Sequence, residues 1–389
     1  MIINVRTLIG YAIAFSVFSA ALSINTPIGD FNYYIYPLAS IALLIFLIKP
    51  RVLGCLSVFF IFSIFQVILK FVLGYPYAPY FKQLVPIVVI YISIYELVKY
   101  VGIEKSFNCY LQLSKIIAVL GFFQLFLFIT TNSYSISPYG IRISSIITEP
   151  SHLAIVLMPA LMYNLKRVID DNKRVYDFLI ILMCIILTQS LSVIFPVLII
   201  LPLIASWRLV LKVVPFIIVL SVLIINFSEN NDALQHRFLA MSNVVSGEYD
   251  YNTGQETVYS ALTNSEAALF SIKKSFGLGV GLGGHPYSYD TYFEDRPDVY
   301  LRDLSFGINK LNGHSLLIRM VSELGVISIA FIVFFLAKSF YRKELINDPI
   351  FISCLTYILA RFIKLGGYFD HGLPFFMAIL IVLYRRERV

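Results

Sequence analysis

Apolar runs long enough to cross a bilayer recur along this chain, and that repetition decides the fold class before any motif is read. A helix needs about 20 mostly apolar residues to cross the hydrocarbon core, fewer where neighbours or local thinning help. Such runs occupy roughly 7–24, 31–48, 52–73, 81–99, 111–130 and 150–165. The next, 176–206, is too long for one helix, since at 1.5 Å per residue it would reach about 46 Å. Gln189, Ser190 and Ser192 interrupt it, so it divides into two short spans. Further runs follow at 209–226 and 314–337, and the last, 349–384, divides at Gly366-Gly367. The total is twelve spans.

Composition agrees with this reading. Hydrophobic residues make up 59% and charged residues 14%, against roughly 25% charged in an ordinary globular domain. Too few charges remain to cover a water-soluble surface, which excludes a cytosolic enzyme, a disordered chain and a disulfide scaffold. The net charge of +7 would suggest nucleic acid only as one solvated patch. Instead the basic residues are scattered between apolar runs, as membrane orientation requires.

The positive-inside rule orients the spans. With a cytoplasmic N-terminus, the inner connections carry seventeen Lys and Arg, among them Arg6, Lys49, Lys105, Lys166, Arg174, Lys338 and Arg386. The short outer connections carry only Lys82, Arg142 and Lys364. Merging either divided run would put basic loops on the wrong side, so both termini are expected inside. Arg6 and the apolar run to Ile24 have the look of a signal peptide; with so many spans following, they read as an uncleaved first span. Cys55, Cys184 and Cys354 lie in apolar runs and Cys109 near the inner end of one, with no CxxC spacing. They read as small buried hydrophobes.

The expected organisation is an all-α polytopic bundle: nine spans over 1–226, an extracytoplasmic loop over 227–313, and three spans over 314–389. The loop carries eleven Asp and Glu against six Lys and Arg. Within it Val258, Ala261, Leu262, Ser265, Leu269, Ile272 and Phe276 repeat at helical spacing, with Gly277 at the natural stop. An amphipathic helix is therefore predicted over about 254–276, either on the membrane surface or capping the bundle.

Gly279, Gly281 and Gly284 satisfy GxGxxG literally. A dinucleotide fingerprint needs a strand before it and a helix after it, whereas here a helix precedes and His285-Pro286 follows. The glycines read as a tight turn where backbone comes close to something. Glu149-Pro150-Ser151-His152 opens a span, and helix initiation alone accounts for those residue types. It does not account for Arg142, Glu149 and His152 gathering at one membrane boundary, where titratable groups are costly and usually serve a site. His314, in Asn312-Gly313-His314-Ser315, stands where the long loop re-enters the membrane, with Arg319 and Glu323 beyond it. A His with a pKa near neutrality is suited to general-base work, and a nearby Arg to holding an anionic leaving group. Arg237 and Arg302 are basic residues on the acidic loop. Arg361 sits within an apolar span near Lys364 and Asp370-His371. Cations facing one outer cavity would suit a pyrophosphate. His285, His314 and His371 lack close ligand spacing, so no metal is expected. Tyr75, Tyr77, Tyr80, Tyr287, Tyr289 and Tyr292 read as an interfacial aromatic belt.

The segment RISSIITEPSHLA (Arg142 to Ala154) resembles the region of bacterial Wzy-type O-antigen and capsule polymerases in which EPS opens a span. Arg237, FGLGVGLGG (Phe276 to Gly284) and NGHSLLIRMVSELGVI (Asn312 to Ile327), in that order, are similar to the broader O-antigen polymerase and ligase superfamily. The resemblance implies a metal-independent, cofactor-free GT-C-type glycosyltransferase of the bacterial inner membrane. Such enzymes join undecaprenyl-pyrophosphate-linked oligosaccharide units at the periplasmic face, usually with a chain-length regulator as partner and no nucleic acid. Carried onto this chain, His314 takes the place of the base and Glu149 is the alternative base. Arg142 and Arg237 match pyrophosphate-holding arginines, and burial logic adds Arg319 and Arg361. His152, His285, Asn312 and Arg302 are weaker substrate-binding candidates. Ligases of this superfamily usually read His-Asn where this chain has His314-Ser315. The rival readings are an O-antigen ligase and a lipid-linked oligosaccharide flippase; a flippase should show repeated halves and no large loop.

Overall fold

The computed structural model of the protein describes residues 4–19, 23–26, 29–32, 63–204, 239–240, 242–248, 256–296 and 306–386. Apart from a short antiparallel pairing of β1 (Ser23–Thr26) with β2 (Gly29–Asn32), regular structure among these residues is helical. After α1 (Val5–Phe15) and α2 (Ser63–Leu73) come α3 (Ala78–Val101), α4 (Ile103–Thr131) and α5 (Pro150–Asp171). These last three are long and apolar enough to cross a membrane. Shorter apolar helices follow: α6 (Val175–Thr188) and α7 (Ile194–Ile204). Next come α8 (Glu256–Lys274) and α9 (His285–Phe293), then α10 (Leu316–Leu324) and α11 (Val326–Tyr341). A short α12 (Lys343–Asn347) leads to α13 (Pro349–Ile363) and α14 (Leu373–Arg386).

The centre of the bundle is the pairing of α5 with α13. Every residue from Leu153 to Met162 and from Phe351 to Arg361 is buried. Pro159 sits inside α5, and a Tyr110 hydroxyl from α4 serves the backbone there, donating to Val156 O at 2.7 Å and accepting from Ala160 N at 3.1 Å. Such re-satisfaction is how membrane helices tolerate proline. Part of the outside is apolar as well. Ile116, Val119, Phe123, Phe126 and Ile129 of α4 are more than half exposed and follow one another at helical spacing. Water would penalise that stripe, while lipid tails would solvate it.

The divisions predicted at Gln189–Ser192 and at Gly366-Gly367 coincide with the breaks between α6 and α7 and between α13 and α14. The predicted amphipathic helix is α8, and it packs on α9 and α10. Two expected spans are corrected. The first, 7–24, is α-helical through Phe15, the Ser16 and Ser19 hydroxyls turn back to Ile13 O and Ser16 O, and its last two residues, Ser23 and Ile24, lie in β1. The span 314–337 is two helices. In a continuous helix Ser322 O and Glu323 O would accept from the residues four further on. Here they accept from Val280 N and Gly281 N, each at 2.9 Å, while Val326 N turns to Gly277 O at 2.8 Å. The glycine-rich loop thus clasps the end of α10, and the helix breaks at Gly325 (φ 63°). A Cβ there would fall 2.0 Å from Gly277 O, so only glycine fits. The expected spans 31–48 (beyond Asn32) and 209–226, and the part of 52–73 before Ser63, lie outside the described residues.

Candidate functional site

Three stretches far apart in sequence meet at one end of the bundle: the start of α5, the turn before α10, and the loop 364–372 between α13 and α14. Glu149 takes an extended N-cap conformation with Pro150 following, which starts α5 with its first side chains facing that loop. Glu149 Oε2 lies 3.4 Å from Lys364 Nζ and 3.4 Å from His152 Nε2. Ser151 Oγ donates to the same carboxylate oxygen at 3.0 Å and accepts from Lys364 Nζ at 2.7 Å. Burial works against the Glu149 charge, but His152 and Lys364 more than offset it and set the carboxyl below its ordinary range. The His152 and His371 rings meet edge to face at 4.8 Å. The Nδ1 atom of each is buried with no hydrogen-bond partner among the described residues, which leaves two polar atoms at this cluster for a ligand or water to satisfy.

His314 joins the cluster through its backbone, its carbonyl accepting from Leu365 N at 2.9 Å. It takes a left-handed conformation (φ 62°) in which Asn312 Oδ1 accepts from its N–H at 3.1 Å. That strain is the kind found where a side chain must be aimed. Burial brings its imidazole down to about 4, with Lys364 adding to the effect and Glu149 opposing it, so His314 is neutral at pH 7. Gly366 seats directly on Asn312 O, where a Cβ would come within 1.6 Å.

The two buried arginines bond mainly within their own chain, although Arg361 Nε has no hydrogen-bond partner among the described residues. Arg361 Nη2 reaches Asp370 Oδ1 at 2.6 Å and also donates to Gly367 O, while Nη1 donates to Asp370 O at 3.4 Å. Burial disfavours the Asp370 charge, yet Arg361 and His371 bring its carboxyl down to about 2. Arg319 pairs with Glu323 at 3.3 Å, donates to Gly366 O at 3.2 Å, and stacks 4.5 Å over the Tyr368 ring. Glu323 further accepts from Tyr368 OH at 2.8 Å and Gly283 N at 3.0 Å. Both arginines therefore shape the loop 364–372, and the cation nearest the carboxylate of the cluster is Lys364.

The remaining candidates divide. Arg142 is half-buried with its Nε on Thr188 O at 3.3 Å, and it and Glu149 both act on the Tyr139 hydroxyl. His285 lies apart from the cluster, fully buried between α8 and α10, its two nitrogens on Asn264 Oδ1 (2.9 Å) and Ser322 Oγ (2.8 Å). It is held down to about 3 by burial and by Arg319, and it cements helices. Every N–H from Gly277 to Gly284 is spent inside the protein, including Leu282 on Gln66 Oε1. The glycine loop has none to offer a phosphate. Arg237 and Arg302 lie outside the described residues. Sequence reasoning missed Lys70, a fully buried ammonium with no hydrogen-bond partner among the described residues, its stem packed under Gly281. A lysine inside an apolar run was the available signal.

Beneath Tyr368 lies an apolar cavity of about 150 Å³, lined by Tyr91, Leu316, Met320, Phe335, Ile358 and Tyr368 among others. An engineered apolar cavity of about that size stays dry and takes a six-carbon ring. Among the described residues, no three His, Cys, Asp or Glu are grouped to hold a metal ion. No family model, curated protein or solved structure matches the chain.

Proposed function

We propose that the protein is a twelve-span glycosyltransferase of the bacterial inner membrane. It joins undecaprenyl-pyrophosphate-linked oligosaccharide units into O-antigen or capsule polysaccharide at the periplasmic face. The observation that carries the reading is the convergence of Glu149, His152, His314, Lys364 and His371 at one end of an apolar bundle. That end holds two groups able to accept a proton, His314 and Glu149, with a cation beside them.

The reaction draws on these groups together with Arg142 and Arg237. A sugar hydroxyl of the incoming unit gives its proton to His314, with Glu149 the alternative base. Its oxygen bonds to the anomeric carbon of the growing chain as the bond to pyrophosphate breaks. The electron pair leaves with undecaprenyl pyrophosphate, whose charge Lys364, Arg142 and Arg237 offset. Alignment supplies much of the rate, because the leaving group is already good. The apolar cavity under Tyr368 supports the reading, since a five-carbon isoprene unit suits its volume and it adjoins the loop that carries Lys364. A chain-length regulator is the expected protein partner.

The test is a surface-polysaccharide gel of the source strain with the gene deleted, beside the complemented strain. Core carrying a single repeat unit, with the ladder restored on complementation, supports the polymerase. Loss of even the single unit would turn the assignment to ligase or flippase, and an unchanged ladder would sink it.

A further inference from the structure

The imidazole of His314 is held from the side of the extracytoplasmic loop by α8. Its Nδ1 lies 3.0 Å from Ser260 Oγ, and Ser260 is fully buried. The same hydroxyl oxygen lies 2.9 Å from Asn309 Nδ2 and 3.2 Å from Ile308 O. An amide nitrogen only donates, so Asn309 occupies one lone pair of that oxygen; a carbonyl only accepts, so Ile308 takes the single hydroxyl proton. One lone pair is left at Ser260, and His314 Nδ1 can join it only by donating. With all three bonds made, the ring proton is on Nδ1 and Nε2 is the acceptor.

One turn along α8, the same reasoning fixes His285. Asn264 Nδ2 donates to Ser260 O at 2.7 Å and to Ile308 O at 3.0 Å. Its Oδ1 is therefore free to accept from His285 Nε2, and His285 Nδ1 accepts from Ser322 Oγ. This interlocked set joins α8, the 306–309 segment and α10 into one buried polar unit, and such units are rigid when every member is satisfied.

We infer that Ser260 is a positioning residue: it fixes His314 as the Nδ1–H tautomer and leaves Nε2 to take the proton of the sugar hydroxyl. The catalytic half of the inference rests on the polymerase reading; the tautomer half does not. Ser260 touches no reacting atom and works only through His314, much as outer-sphere partners fix the tautomer of a metal-bound imidazole. It also gives the amphipathic helix a role, because α8 docked on α10 is what brings Ser260 to the ring.

The experiment uses the full chain in nanodiscs with 15N-labelled histidine, the His314 resonances being identified by their loss in His314→Gln. At pH 7 the wild type should show a protonated Nδ1 and an unprotonated Nε2. Ser260→Ala should shift His314 to a tautomer mixture and cut polymer formation roughly ten- to hundredfold, the range for lost outer partners of metal-bound imidazoles. Ser260→Thr keeps the hydroxyl and should restore both readouts. A protonated Nε2 in the wild type overturns the inference with no variant needed. So does Ser260→Ala that polymerises at the wild-type rate with unchanged resonances. If the chain makes no polymer while His314 shows the Nδ1–H tautomer, the polymerase reading fails and the orientation by Ser260 stands.

Discussion

The Glu149 carboxylate and the Lys364 ammonium, 215 positions apart in the chain, stand 3.4 Å from each other with the Ser151 hydroxyl between them. Half of the Glu149 side chain is exposed, so the pair adds little to stability. A weak pair kept at a bundle end beside two unsatisfied imidazole nitrogens is better explained by a ligand than by folding.

Lys364→Met should therefore leave expression unchanged and stability within about 0.5 kcal/mol of the wild type while reducing polymer at least tenfold. Glu149→Gln should behave alike. Assaying both variants and their double in complemented deletion strains checks the point. A normal polysaccharide ladder from Lys364→Met would remove Lys364 from the site.

Arg361 should respond in the opposite way. Its guanidinium is fully buried and paired with Asp370, which keeps a third of its side chain exposed. Breaking such a pair strands the partner charge, at about 3 kcal/mol for one only partly desolvated. Arg361→Met should lower the unfolding midpoint markedly, and adding Asp370→Asn should recover part of the loss. If Arg361→Met folds as stably as the wild type and fails only in polymer formation, the arginine holds substrate after all.

How much of this was legible beforehand depends on the range of the interactions. The breaks at Gln189–Ser192 and Gly366-Gly367, and the amphipathic α8, follow from local polarity and helical period, which a sequence displays directly. The division of α10 from α11 at Gly325 was hidden, since its cause is the distant glycine loop taking the carbonyls of Ser322 and Glu323. The same holds for the site. Glu149 and His314 were marked by their position at membrane boundaries. That Arg319 would reach Gly366, and Arg361 Gly367 and Asp370, depends on pairings across the fold, and burial logic alone assigned them to a ligand.

The glycine clasp makes its own prediction. A Cβ at Gly325 meets Gly277 O, and one at Gly279 falls 2.5 Å from Gly325 N, both at positive φ. Gly325 (φ 63°, ψ −147°) lies in a region open essentially to glycine alone, where strain by itself costs another residue about 1–3 kcal/mol. Gly325→Ala must add displacement of the loop that holds α8 and α9 against α10. Gly74, also at positive φ but with nothing within 4 Å of a Cβ, supplies the control and should show only the strain. Urea unfolding of both variants in mild detergent decides it: equal losses would mean that the clasp does not hold the loop.

Acid should loosen the protein before it protonates the base. Burial holds His285 at about 3 and His314 and His371 at about 4, all below the ordinary value of 6.5. Between those values the unfolded chain binds protons that the folded chain refuses, so stability rises with pH from about 4 to 6.5 and is lost as pH falls through that window. Asp370, at about 2 against an ordinary 3.8, adds stability that disappears only below 3.8. The thermal midpoint in detergent should be level above pH 6.5 and drop steeply towards pH 4.5. If His314 is the base of the proposed polymerisation, polymer formation should keep its rate per folded molecule down to about pH 5. A midpoint that stays flat from pH 7 to 4.5 would show that these imidazoles are not buried neutral, and an acid limb near 6.5 in the rate per folded molecule would show that His314 is not held as the structure holds it.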